Sequence, residues 1–297
     1  MNGILIVDKP GGFTSFDVIA KLRGVLNERR IGHGGTLDPM ATGVLPVFVG
    51  IATRAADLLP NEKKRYTATV RMGIRTDTAD VTGRIIEQND CVATRVQLES
   101  ATRSLTGAIS QIPPMYSAIQ VDGKRLYDLA RQGKTVERQA RKIEIYKIEI
   151  LDFNEFKREF TIDVICSKGT YIRTLAEDIA SAAGCIAALS ALRRTMSSGY
   201  GESQAHTLDE IVRKKDQGEL ESVFLPVESA FAELRKVCLD DNLSRLFLNG
   251  FVFDTERVKD APPDGETVCA YKGGIFLGTA QSVGGKFKKL KQFYFEQ

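Results

Sequence analysis

The stretch "KIEIYKIEILDFNEFKREFTIDVICSKGTYIRTLAEDIASAAG", Lys142 to Gly184, decides the fold class. It reads as two strands, "KIEIYKIEILDF" and "EFTIDVICS", followed at once by a helix. In that helix Ile172, Leu175, Ile179 and Ala183 recur at helical spacing on one face, and Gly184 supplies the stop. Two strands in succession before one helix are not the strand–helix–strand rhythm of a doubly wound sheet. The pattern predicts an α+β protein with a largely antiparallel central sheet flanked by helices.

Working outward, "GFTSFDVIAKLRGVLN" offers Thr14 and Ser15 as caps and then Val18, Ile19, Leu22, Val25 and Leu26 at helical spacing. It leads into "GHGGTLDPMATGVLP", Gly32 to Pro46, where glycines and prolines break both helix and strand and Asp38 is pushed toward extended geometry by Pro39. Beyond this loop, "VLPVFVG" predicts a short apolar strand and "ATRAADLL" a short helix. "RYTATVRMG" predicts a strand with Tyr66, Ala68, Val70 and Met72 on its apolar side. Past Leu239 one short helix, "DNLSRLFLNG", precedes strands separated by "APPDGE", "KGG" and "VGG", the pattern of a small β-rich domain closing into a barrel.

The 297 residues suffice for one large and one small domain. A hydrophobic fraction of 43% and a charged fraction of 27% are those of a globular protein. No apolar run spans a bilayer and no export signal opens the chain, so a cytoplasmic protein without a membrane partner is expected. The five cysteines are scattered without CxxC spacing, which predicts neither a disulfide framework nor a metal site but buried small apolar residues. Net charge is only +3, yet basic residues cluster. Lys124, Arg125, Arg131, Lys134, Arg138, Arg141 and Lys142 form one group, "GGKFKKLK" a second and Lys63 to Arg65 a third. Any one of these could be a solvated face; three together suggest a polyanionic partner.

Several chemistries are poorly supported. The glycine loop lacks the GK[ST] of a phosphate-binding loop, there is no G-x-S-x-G elbow, and His206, the second of two histidines, sits at what reads as a helix entry. A carboxylate pair such as Asp38 with Asp80 keeps a glycosidase of small substrates open.

Four segments in collinear order, "GHGGTLDPMATGVLPVFVG", "KRYTATVRMGIRTDTADVTG", "PPMYSAIQVDGKRLYDLAR" and "SKGTYIRTLAEDIA", resemble the TruB family of tRNA pseudouridine synthases. The resemblance covers nearly the whole chain, and the C-terminal segment is similar, less distinctly, to that family's PUA-type RNA-binding domain. It implies an isomerase that flips the uridine at position 55 of the tRNA T-loop out of its stack and rejoins it through C5, with no cofactor, no metal and no energy source. Asp38 would be the carboxylate acting at the ribose, as nucleophile or as base, and Arg173 the arginine that pairs with it. Read from residues alone, Arg173 could equally form a surface pair with Glu177. Tyr66 would stack on the target uracil, His33 fill the space the base vacates, Leu192 pack against the pocket and Tyr171 support the site. Lys9 and Pro10 fall in a motif read as structural. With no tryptophan in the chain, stacking rests on Tyr, Phe and His.

The basic segment from about 120 to 142 corresponds to a thumb over the T-arm, with Lys124, Arg131 and Lys134 on phosphates. The expected organisation is a catalytic domain over 1–230 and a PUA-like RNA-binding domain over 231–297, acting as a monomer. The alternative is a non-catalytic tRNA-binding or chaperone protein, which would keep the basic segments without needing Asp38, Tyr66 and Arg173 together.

Overall fold

A computed structural model describes every residue except 118, 119, 122, 135, 296 and 297, and only the backbone of 120, 121, 124, 125 and 131. β1 (Gly3–Lys9) leads into α1 (Ser15–Leu26). Thr14 caps this helix reciprocally: its hydroxyl accepts from the Asp17 N–H while the Asp17 carboxylate accepts from the Thr14 N–H. β2 (Ile31–His33) and β3 (Thr42–Val49) flank the glycine loop. The helix expected at "ATRAADLL" is a tighter 3-10 segment, Gly50–Ala55. β4 (Lys64–Met72) buries Tyr66, Ala68, Val70 and Met72 as its alternation predicts.

A small hairpin, β5 (Ile74–Thr76) and β6 (Ile85–Gln88), is followed by α2 (Arg95–Ser104) and β7 (Gly107–Gln111). Next come the short pair β8 (Gln120–Val121) and β9 (Lys124–Arg125), with α3 (Leu126–Arg131). β10 (Arg141–Asn154) and β11 (Glu159–Cys166) form the long hairpin read from the opening stretch, and α4 (Ile172–Ala182) is its helix. β12 (Ala187–Ser197), β13 (Tyr200–Gly201), α5 (Leu208–Asp216) and β14 (Phe224–Leu225) complete this part. Arg141 and Lys142, expected in the basic insertion, instead pair with Gln111 and Ser110 at the start of β10. The insertion therefore occupies 112–140.

The large sheet runs β14-β1-β3-β12-β4-β11-β10-β7, with β2 on β3 and β13 on β12. Among the described residues its pairings are antiparallel except β3 against β12, which run parallel and place Gly43 opposite Arg194. The expected α+β architecture with a mainly antiparallel sheet is what the chain adopts. β1 and β3 read as unbroken apolar runs because both their faces are covered. Leu5, Val7, Leu45 and Val47 pack under α1, α4 and α5, while Ile4, Ile6, Val44 and Phe48 point the other way, toward Phe231, Cys269, Tyr271 and Phe293.

Cys269 and Tyr271 belong to a second sheet, which Phe231 precedes and Phe293 follows. It is made of β15 (Lys236–Cys238), β16 (Phe253–Asp254), β17 (Thr267–Lys272), β18 (Ile275–Val283) and β19 (Lys286–Gln292), with α6 (Asp241–Leu248) against it. Strand order is β15-β17-β18-β19-β16, leaving β15 and β16 as open edges, so the expected barrel is only a half-barrel. Val237, Leu243, Phe247, Val268, Leu277 and Phe287 fill its own core.

The cysteines depart from expectation. Cys91 and Cys185 are disulfide-bonded across 94 residues, tying the loop before α2 to the turn after α4; Cys238 is exposed, and only Cys166 and Cys269 are buried free thiols. Scattered spacing carries no signal for a bridge made by tertiary packing. Closing so long a loop should stabilise the chain by about 2–4 kcal/mol. Cys91→Ser should therefore lower the urea midpoint relative to the oxidised protein, and equal midpoints would show that the bridge contributes nothing.

Candidate active site

The glycine loop between β2 and β3 is held from three sides. Ser15, at the start of α1, accepts from the Leu37 N–H at 2.8 Å and donates back to its carbonyl at 3.3 Å. Lys9, fully buried, donates its ammonium protons to the carbonyls of Pro10, Phe13 and Pro39. Arg194, also fully buried, donates to the carbonyls of Val44 at 2.7 Å, Gly35 at 3.1 Å and Thr36 at 3.4 Å. Glycine is required where this bracing is tightest. Gly43 has φ 99°, and a Cβ there would lie 2.3 Å from the Arg194 carbonyl oxygen.

Asp38 sits on this loop with its side chain about one third exposed. Arg173, second residue of α4 and 5% exposed, grips it in a fork: Nε to Oδ2 at 2.9 Å and Nη2 to Oδ1 at 3.2 Å. The same guanidinium donates to the carbonyls of Thr78 at 2.9 Å and Tyr116 at 2.8 Å. Its Nη1 also lies 3.8 Å from Oδ2 of the buried Asp80. The surface pair with Glu177 is not formed; the helix start aims Arg173 inward, 135 residues along the chain from its partner. Burial pushes the Asp38 carboxyl above the ordinary aspartate range, Arg173 opposes this, and Asp80 adds to it. The result is a carboxylate kept oriented yet more basic than one in water.

Around this pair the predicted residues divide. His33 ends β2, half-buried, and its Nδ1 accepts from the Gly35 N–H at 3.3 Å. Burial and the nearby cations Arg194 and Lys64 lower its pKa, so the ring is neutral at neutral pH. Tyr66 is buried in β4 directly across from Arg194 on β12. Burial raises its phenol, with Arg194 pulling the other way. Leu192 lies two residues before Arg194, 7% exposed in the main core opposite Ala68. Tyr171 precedes α4; its N–H donates to Gln111 Oε1 at 2.8 Å, and its carbonyl accepts from Gln111 Nε2 at 3.1 Å. Of the basic residues, Lys134 is exposed just past α3, whereas the side chains of Lys124 and Arg131 lie outside the described residues.

Sequence reasoning missed Arg194 and Gln111 altogether, took Lys64 only as part of a basic cluster and Asp80 only as a rival carboxylate. Asp80 Oδ1 accepts from the Thr78 hydroxyl and from the Thr82 N–H and hydroxyl, which fixes it as the second acidic neighbour of Arg173. No group of three His, Cys, Asp or Glu able to hold a metal, and no helix long and apolar enough to cross a membrane, occurs among the described residues.

Compared with known protein families, residues 23–172 match the TruB family pseudouridylate synthase N-terminal domain and residues 173–232 the tRNA pseudouridylate synthase B C-terminal domain. The chain is 41% identical over 280 residues to a tRNA pseudouridine synthase B of Alkaliphilus oremlandii, covering 94% of this chain and 92% of that protein. It is 40% identical over 282 residues to one of Neisseria meningitidis serogroup A, covering 95% and 90%. Among solved structures it superposes on a chain of a Cbf5-Nop10-Gar1 complex with a TM-score of 0.76 at 25% identity, covering 98% of this chain and 84% of that one.

Proposed function

This chain belongs to the TruB family of pseudouridylate synthases, and from that premise we propose that it acts on the uridine at position 55 in the T-arm of tRNA, with Asp38 as the carboxylate at the ribose. It is an isomerase converting uridine in tRNA to pseudouridine. The observation that carries the site assignment is the forked Arg173–Asp38 pair, a buried guanidinium holding a carboxylate whose outer side stays open.

The reaction breaks N1–C1′, turns the uracil and rejoins it through C5. Inside a folded loop the base is out of reach, so it must be flipped, at a cost of a few kcal/mol. A neutral His33 at the loop's leading edge suits stacking in the vacated space, since an uncharged ring enters a base stack with less desolvation. Tyr66, buried in β4 across from Arg194, supplies the stacking face for the flipped uracil. Leu192 packs the strand behind it, and Tyr171, tied to Gln111, fixes the entry into α4. Lys124, Arg131 and Lys134, in the insertion between β7 and β10, meet T-arm phosphates. We assign residues 1–230 to catalysis and 231–297 to a PUA-like RNA-binding unit, in a monomer working in the cytoplasm.

T-arm RNA carrying tritium at uridine C5 tests this reading, because only rejoining through C5 expels that hydrogen. Stoichiometric release without added metal or nucleotide is the expected result. Tight tRNA binding with no release would mean that the protein binds tRNA without modifying it.

A further inference from the structure

Arg194 is a fully buried guanidinium with no carboxylate within 4.0 Å among the described residues. Its donors go instead to three carbonyls of one loop, those of Gly35, Thr36 and Val44. Leaving a buried charge without a counterion is costly, and a structural clamp alone could be built from neutral donors. Its titratable neighbours are mostly cations, with Asp38 facing Lys9 and Glu62 facing Lys64 as anions beyond them. Lys9 from β1, His33 from β2 and Lys64 from β4 all face it, and both lysines are pushed down to about 8, mainly by burial. Tyr66 lies beside it on β4, and Cys166 on β11 faces both Lys64 and Tyr66. The floor beneath His33 and Tyr66 is therefore a cluster of cations, with Asp38 and its own arginine at the rim.

The chemistry has a use for that floor. When N1–C1′ breaks, the bonding pair leaves with the base, which becomes a uracil anion. C1′ is satisfied either by an electron pair from Asp38 or by the C2′–H pair after Asp38 takes that proton. On rejoining through C5 the anion's pair forms the new bond to C1′ as the Asp38 carboxylate leaves with its own pair or gives the proton back to C2′; the C5 proton is then lost and N1 gains one. Resting on the pseudouridylate synthase reading of this site, we propose that Arg194 is a positioning residue for the isomerisation, locking the Gly35–Val44 loop from beneath and keeping the base pocket positive for the detached uracil anion. It acts through the loop and through Tyr66 rather than by contact, since it has no exposed surface.

The test compares single-turnover tritium release, tRNA affinity and melting for wild type, Arg194→Met and Arg194→Lys between pH 6 and 9. Arg194→Met should slow release by about 100-fold while tRNA Kd changes less than about threefold. Arg194→Lys should recover roughly tenfold of that loss at pH 6, expressed as a ratio to wild type. The recovery should disappear toward pH 9, as a lysine buried beside Lys9 and Lys64 gives up its proton while still able to donate a hydrogen bond. Equal rates for the two variants at every pH, or an Arg194→Met rate within about threefold of wild type, overturn the proposal. Should Arg194→Met not fold, Arg194→Lys decides alone, and a ratio to wild type that stays flat from pH 6 to 9 overturns it. Absence of release from wild type would defeat the assignment of function instead.

Discussion

Asp38→Asn should reduce the single-turnover rate by roughly 10⁴-fold or more, while tRNA affinity stays within about tenfold, a difference of ~1.4 kcal/mol. The substitution keeps the size of the side chain and an acceptor for one arm of the Arg173 fork. It removes the charge needed either to attack C1′ or to take a proton at C2′. Binding is expected to survive because the surfaces offered to phosphates and stacked bases are elsewhere, on the insertion, His33 and Tyr66. The measurement is quench-flow tritium release alongside filter binding, on protein free of wild-type contamination. A folded Asp38→Asn that reacts at a wild-type rate would move the search to another carboxylate, with Asp80 first because it shares Arg173.

The second large effect falls on Arg173→Met, and pH separates its two parts. Burial already holds the Asp38 carboxyl above its ordinary value, and Arg173 is the main influence pulling it down. Without the guanidinium the carboxyl rises further, so a smaller fraction is ionised at neutral pH and the acid limb of the rate profile moves to higher pH. Raising the pH should restore part of the activity. The remainder is lost with the fork that orients Asp38, and Arg173→Lys, which keeps a charge but not the fork, should fall between the two. Stability should drop as well, by about 3–5 kcal/mol, since Asp38, Asp80 and the Thr78 and Tyr116 carbonyls lose a shared buried partner. An acid limb unmoved from its wild-type position would contradict the pairing as the control on Asp38.

What was legible in the sequence had a local cause. Thr14 caps α1 because its hydroxyl and Asp17 are three residues apart, and Tyr66 faces inward because strand alternation forces it. Gly184 ends α4 region geometry in the left-handed conformation that glycine tolerates. The glycine loop announced itself by composition, and Asp38 within it by the resemblance. The unreadable part was made by contacts across long stretches of chain. Whether Arg173 pairs with Glu177 four residues on or with Asp38 far upstream depends on how α4 is docked, which spacing does not encode. Arg194 looks like an ordinary surface cation, and Lys9 like no more than part of a structural motif, until the carbonyls that surround them are in place. Cys91 and Cys185 are joined by the same kind of distant packing, and Arg141 and Lys142 were drawn into the basic insertion by their charge although their backbone belongs to the sheet.

The parallel contact of β3 with β12 also sets a timetable. Arg194 leaves the ribosome 150 residues after Val44, the loop carbonyl it holds most closely. At about 5–20 residues per second, that delay is roughly 8–30 s. For most of it the nascent loop carries Asp38 with neither its floor nor its arginine, since Arg173 precedes Arg194 by only 21 residues. A nascent chain that cannot yet shape the loop has no means of engaging a tRNA productively, so the loop itself becomes competent late, with the emergence of β12.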